Sequence, residues 1–156
     1  MNEIQNSIER LSILIDTAPA IFENMNEEDF VMQPWLGMWS KKQLLGHLID
    51  SAAMCHQRIV RIQYEKEPIV FYNRKQWMDL QYYNVEDSSD LIQLWKWYNK
   101  HLLHVIRHTP YQNLEREVTL WSGDTYNLRS LIVDYVEQIE NNLMVIFGEQ
   151  FLKQMN

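Results

Sequence analysis

The side chains best equipped for chemistry in this chain are histidines and the polar groups near them. His47 lies in the run Leu44-Leu45-Gly46-His47-Leu48-Ile49-Asp50-Ser51. An imidazole titrates at about 6.5 when unperturbed, so His47 suits a general base at neutral pH. Asp50, three residues on, either orients that imidazole or faces solvent. The plainer alternative is a histidine at the edge of a core, hydrogen-bonded and structural. Gln138 and Asn142 are four residues apart, so on a helix they stack one above the other, beside Leu131 and Tyr135. An amide pair facing an imidazole makes a polar pocket for a small ligand, drawn from His47, Asp50, Ser51, Tyr135, Gln138 and Asn142. The same amides could equally satisfy each other or water in a bundle that only needs to fold.

Two other groups compete for attention. His101, His104 and His108 fall at i, i+3 and i+7, a spacing that could chelate a metal on one side of a helix. Their line sits about 100° from the centre of the apolar stripe beside them, which reads as a solvated face. Cys55, the single cysteine, falls on an apolar stripe, where a thiol is usually inert packing. No Gly-rich phosphate loop and no Ser–His–Asp arrangement occurs.

These residues must be carried by helices. Only four Gly and four Pro occur in 156 residues, too few for a fold rich in tight turns. Ile4, Ile8, Leu11 and Ile15 repeat at helical spacing in a first helix over about 2–25, which Pro19 is expected to kink or end. A loop is expected from Asn26 to Trp39. A second helix opens at Ser40, where Ser40 and Gln43 match a capping box, and its stripe is Leu44, Leu48, Ala52, Cys55, Ile59 and Ile62. An irregular aromatic linker, Phe71 to Tyr83, packs Trp77, Tyr82 and Tyr83 over an end of the bundle. A third helix starts near Ser88-Ser89-Asp90, with Leu91, Leu94, Trp95, Tyr98, Leu102 and Val105 inward. A short extended piece is expected at 118–121, turned by Ser122-Gly123-Asp124. The last helix runs over about 128–152 with Leu128, Ile132, Tyr135, Ile139, Leu143 and Ile146 inward. Four amphipathic helices of this length predict one all-α domain, a four-helix bundle.

Composition narrows the partners. Net charge is −7 with no basic stripe, which argues against nucleic acid. No apolar run approaches the ~20 residues of a membrane span, no signal peptide is visible, and one cysteine suits a reducing compartment. The expectation is a cytoplasmic protein that does not enter the membrane. The six tryptophans read as seals: Trp95 on a stripe, Trp39, Trp77 and Trp121 where loops meet helix ends, each indole N–H with a partner. An exposed Trp97 would mark a contact surface.

The run from Trp39 through Ser40, Gln43, His47, Asp50 and Ser51 to Ala52 resembles the signature that opens the second helix of DinB-like, or YfiT-like, proteins, the bacillithiol-transferase-like bundles. His56-Gln57-Arg58, Gln76-Trp77, Leu94-Trp95 and the segment 125–146 follow in matching order, so the resemblance spans about 32–146. It implies an up-down-down-up bundle, frequent homodimers, and a nickel or zinc ion held by three histidines. One of these comes from the second helix and two, four residues apart, from the last. His47 stands at the first ligand position, but Gln138 and Asn142 stand where the other two are expected. Amide oxygens are weak ligands for nickel or zinc. The expectation is therefore a DinB-like domain with a degenerate triad and no tightly bound cofactor, serving as a small-ligand-binding or vestigial member. One alternative is a metal-dependent thiol S-transferase or hydrolase that uses His47 and a weakly bound metal. Another is a structural dimer module.

Overall fold

The computed structural model describes residues 3–66, 68, 71–119, 123–148 and 151. Six helices are α1 (Glu3–Glu23), α2 (Glu27–Val31), α3 (Lys41–Ile62), α4 (Arg74–Gln81), α5 (Ser88–Arg107) and α6 (Leu128–Phe147). Two short strands, β1 (Glu117–Thr119) and β2 (Thr125–Asn127), pair antiparallel with Val118 opposite Tyr126. Short 3₁₀ turns occupy Tyr83–Val85 and Tyr111–Asn113.

Local chemistry sets the helix ends. Ser40 accepts from the Gln43 amide while the Gln43 side chain accepts from the Ser40 N–H, so the capping box that starts α3 is complete. Asn26, Asn73, Asp87 and Asn127 cap α2, α4, α5 and α6 in the simpler one-bond form. Gly148 closes α6 at φ 88°, a conformation open to a residue without Cβ, and its N–H reaches the Met144 carbonyl.

Side-chain contacts give the helix directions. Gln93, early in α5, bonds Glu23 at the end of α1, so these two run antiparallel. Phe22 and Phe147 pack with tilted rings, centroids 4.6 Å apart, and Arg10 is ion-paired to Glu140 further down, so α1 and α6 run parallel. Ser88 and Lys42 both reach Glu27, which places the starts of α5 and α3 together, and His56 meets His101 at a matching depth further along both. Those two helices are parallel. The bundle is up-down-down-up. Its core is one cluster: Phe22, Phe30 and Trp95 interlock at one end, and Leu48, Ile59, Leu102, Ile132 and Val136 are buried along the axis.

Several expectations need correction. α1 passes through Pro19 to Glu23: burying Phe22 among three aromatic neighbours outweighs one lost backbone bond. The loop after it contains α2, announced by Asn26 and three acidic residues in the first turn, which suit a helix N-terminus. Leu94 is half exposed; the buried face of α5 is rotated toward Ile92, Asn99, Leu103 and Ile106. The aromatic linker holds α4, which ends where Tyr82 turns left-handed at φ 54°. Tyr82 is exposed and does not pack over the bundle. Trp95 is fully buried, yet its indole N–H has no partner among the described residues. Trp121, Ser122 and Leu152 lie outside the described residues.

The turn at Tyr82 delivers Tyr83 onto α3, where its ring lies flat against Gly46; a Cβ at that position would overlap the ring. In an exposed helix, Gly→Ala stabilises by about 1 kcal/mol. Gly46→Ala should instead destabilise by about 1–3 kcal/mol in urea unfolding, and combining it with Tyr83→Ala should remove the overpacking part of that cost. A stabilised Gly46→Ala protein would refute the close packing.

Candidate functional site

An open cavity of about 880 Å³ lies between α3, α6, the linker that leads into α4, and the β1–β2 hairpin. Helix α3 contributes Ser51, Met54, Cys55 and Arg58 at helical spacing. Helix α6 answers with Leu131, Asp134, Tyr135 and Gln138, again one face of one helix. Phe71, Tyr72 and Arg74 close one side, and Val118, Thr119 and Tyr126 close the other. Both hydrophobic and charged groups therefore face one space, with Arg58 and Arg74 on two walls and Asp134 and Glu137 on a third.

The residues singled out in the sequence divide between this cavity and its surroundings. Ser51, Tyr135 and Gln138 line it; His47, Asp50 and Asn142 are not among its lining residues. Asn142 points its amide back to the Gln138 carbonyl at 2.8 Å. Along α6 the polar residues facing the cavity one turn apart are Asp134 with Gln138, and beside them Glu137 with Asn141. Asp134 has no role in the reading from sequence; its place four residues before Gln138 was the available signal. Tyr135 is buried, and its hydroxyl donates to Asn99 at 2.6 Å, while Asn99 donates to the Trp95 carbonyl at 2.9 Å. Burial raises the Tyr135 pKa well above the ordinary value, so it stays a neutral donor.

His47 is 4% exposed, with its ring 5.4 Å from that of Trp39. Burial, helped by the positive charge of Arg74, holds its imidazolium down to about 4. Asp50 is buried rather than solvent-facing: it accepts from the Tyr83 hydroxyl at 2.6 Å and the Gln81 amide at 3.2 Å. Burial pushes its carboxyl up to about 6, against the pull of the Tyr83 bond. Cys55 reaches the cavity, but burial pushes its thiol up to about 12, partly countered by Arg58.

The donor set does not fit a nickel or zinc centre. The cavity offers carboxylates, amides and hydroxyls but no imidazole, and its one thiol, Cys55, is held protonated by burial, where such an ion favours imidazole or thiolate. Among the described residues, no three His, Cys, Asp or Glu side chains converge on a point where a metal ion could sit. Likewise, no helix among them is long and apolar enough to cross a membrane.

The family model described as DinB superfamily matches residues 10–137. This chain belongs to the DinB superfamily. The matched stretch takes in His47, Ser51 and Asp134 and stops one residue short of Gln138. Among solved structures, this DinB chain is similar to YfiT from Bacillus subtilis, described as a probable metal-dependent hydrolase with an unusual four-helix bundle topology. The TM-score is 0.83 at 18% identity, over 97% of this chain and 87% of that one. It is also similar to the mycothiol-dependent maleylpyruvate isomerase, with TM-score 0.70 and 14% identity, over 90% of this chain and 60% of the isomerase. A mutant form of that isomerase gives TM-score 0.71 and 12% identity, over 87% and 57%. This chain therefore spans less than two thirds of the isomerase, and at these identities the likeness is one of fold. No curated protein matches it.

Two predictions follow from the buried groups. With its folded pKa raised, Asp50 contributes stability below about pH 4 that is lost as pH rises through about 6. With its folded pKa lowered, His47 contributes stability above about 6.5 that is lost as pH falls through about 4. The two slopes oppose each other in one window, each worth about 3 kcal/mol. Urea unfolding from pH 4 to 6.5 should show them cancelling in the unaltered protein. Asp50→Asn should lose stability on acidification and His47→Gln should gain it; slopes of one sign in both variants would be inconsistent with these environments. For Cys55, alkylation by iodoacetamide at pH 8 should be about 100-fold slower in the native protein than in urea, because the thiolate is the nucleophile. Equal rates would show the thiol to be accessible and ionisable.

Proposed function

We propose that this DinB-superfamily domain binds a small organic ligand in the cavity between α3 and α6 and no longer builds the family's transition-metal centre. The observation that carries the reading is the α6 wall, where Asp134 and Gln138 face the space one turn apart and neither is a histidine. A carboxylate and an amide there, with Arg58 and Arg74 on other walls, favour a ligand with groups of both charges. Phe71, Tyr72 and Tyr126 suit an apolar body between them. Ser51 and Gln138 supply neutral hydrogen bonds. This chain's residues can thus bind and orient a ligand, while Cys55 and His47 are held in their neutral forms.

The catalytic alternative, a thiol S-transferase or hydrolase using His47 and a loosely held metal, draws support from the hydrolase and isomerase descriptions of the structural neighbours. The dimer-module alternative calls for a closed bundle, and the open 880 Å³ cavity speaks against it.

Elemental mass spectrometry on tag-free protein separates the binding and catalytic readings. The expected result is that nickel and zinc stay substoichiometric at the cavity, with His47→Ala carrying the same content as the unaltered chain. Stoichiometric metal that disappears in His47→Ala would overturn the binding reading and restore the enzyme. On the ligand side, Asp134→Ala and Arg58→Ala should abolish the thermal shift produced by zwitterionic hits from a small-molecule screen, and an unchanged shift would place the ligand elsewhere.

A further inference from the structure

Away from the cavity, four imidazoles form a file across two helices. His56 of α3 faces His101 of α5 at 5.1 Å between ring centroids, His101 faces His104 at 6.4 Å, and His104 faces His108 at 4.2 Å. His101, His104 and His108 are exposed, whereas His56 is half buried with its Nδ1 3.1 Å from the Tyr98 hydroxyl. The apolar core lies on the other face of α5, so packing gives no reason for three imidazoles at this spacing.

His108 is further constrained. Its Nδ1 lies 2.8 Å from the His104 carbonyl oxygen. A carbonyl can only accept, so Nδ1 carries the proton and Nε2 presents its lone pair outward. A backbone carbonyl behind one ring nitrogen is the arrangement that fixes the tautomer of metal-bound imidazoles. His104, one turn earlier on the same helix side, already places its ring beside that of His108.

We propose that His104 and His108 form a surface site for a borderline divalent transition ion, copper(II), nickel(II) or zinc(II), with His101 as a third donor. Two imidazole nitrogens at i and i+4 can meet one ion at about 2.0–2.1 Å. His101, nearly parallel to His104 one turn before, joins by rotating an exposed side chain; water fills the remaining positions. The site shares no residue with the cavity and is independent of the function proposed above. The ligand class follows from softness: imidazole suits zinc, copper and nickel, whereas magnesium and calcium prefer oxygen.

The test uses the full chain without a histidine tag, titrated with copper(II), nickel(II) and zinc(II) chlorides in a calorimeter, with copper coordination read by electron paramagnetic resonance. One ion per chain should bind, with nitrogen hyperfine structure from imidazole. His104→Ala and His108→Ala should each weaken binding by about tenfold or more, and His101→Ala by less. His101 and His104 are exposed on α5 and His108 is its exposed C-cap, so alanine is tolerated at all three, and unchanged circular dichroism confirms that the variants are folded. His47→Ala should leave the isotherm unchanged. Equal affinity in the His104→Ala/His108→Ala double variant, or no binding by the unaltered chain, would overturn the site. Binding lost with His47→Ala but kept in the double variant would overturn it too, and would separately count against the cavity reading.

Discussion

The parallel placement of α3 and α5 is the constraint on which the rest of the molecule depends. When two consecutive long helices run the same way, the chain must travel back along the whole bundle between them. At 1.5 Å per residue, the 22 residues of α3 cover about 33 Å. The return segment is therefore long, and a long unburied segment would be a thermodynamic burden. Here it is made useful: it folds α4, lays Tyr83 on Gly46, and covers the flank of α3 that holds Asp50. It also supplies Phe71, Tyr72 and Arg74 to the cavity wall. Topology, more than any single motif, produces both the buried polar pair and the open space beside it.

Helix α3 accordingly presents polar residues to two environments. Asp50 and His47 are taken out of water, where neither welcomes its charge, and their titration is displaced in opposite senses. Ser51, Cys55 and Arg58 meet the cavity instead. One step along the chain separates a buried carboxyl, Asp50, that holds its proton more tightly than usual from a hydroxyl, Ser51, available to a ligand. The difference comes from what packs on each side, since the residue types alone do not distinguish them.

Much of the architecture was legible in the sequence because helical periodicity and caps are local signals. The capping box at Ser40, the α3 stripe from Leu48 to Ile62 and the start of α6 at Leu128 stand as the pattern suggests, whereas at the head of α3 Leu45 is fully buried and Leu44 only partly so. The misses share a physical origin. Pro19 reads as a breaker, but tertiary burial of Phe22 decides otherwise. The stripe of α5 is misplaced by part of a turn because Asn99, a polar residue, is wholly buried and satisfied by Tyr135 and the Trp95 carbonyl. Within the site, the pairing of Gln138 with Asp134 rather than Asn142 depends on which side of α6 faces the hairpin. That orientation is set by neighbours distant in sequence, and no local pattern carries it.

The order of helices around the bundle also bears on how it is assembled. Sequential neighbours α1 and α3 lie across the diagonal, as do α5 and α6, so neither pair can close as a local hairpin. The ion pair between Arg10 and Glu140 joins residues 130 positions apart. A helical protein usually folds fast because its contacts are short-range, and speed falls as the mean separation of contacting residues rises. In this bundle α1 stays without its final partner until α6 exists. Chain collapse must therefore pay most of its loop-closure entropy before the core that contains Phe22 and Phe147 rewards it.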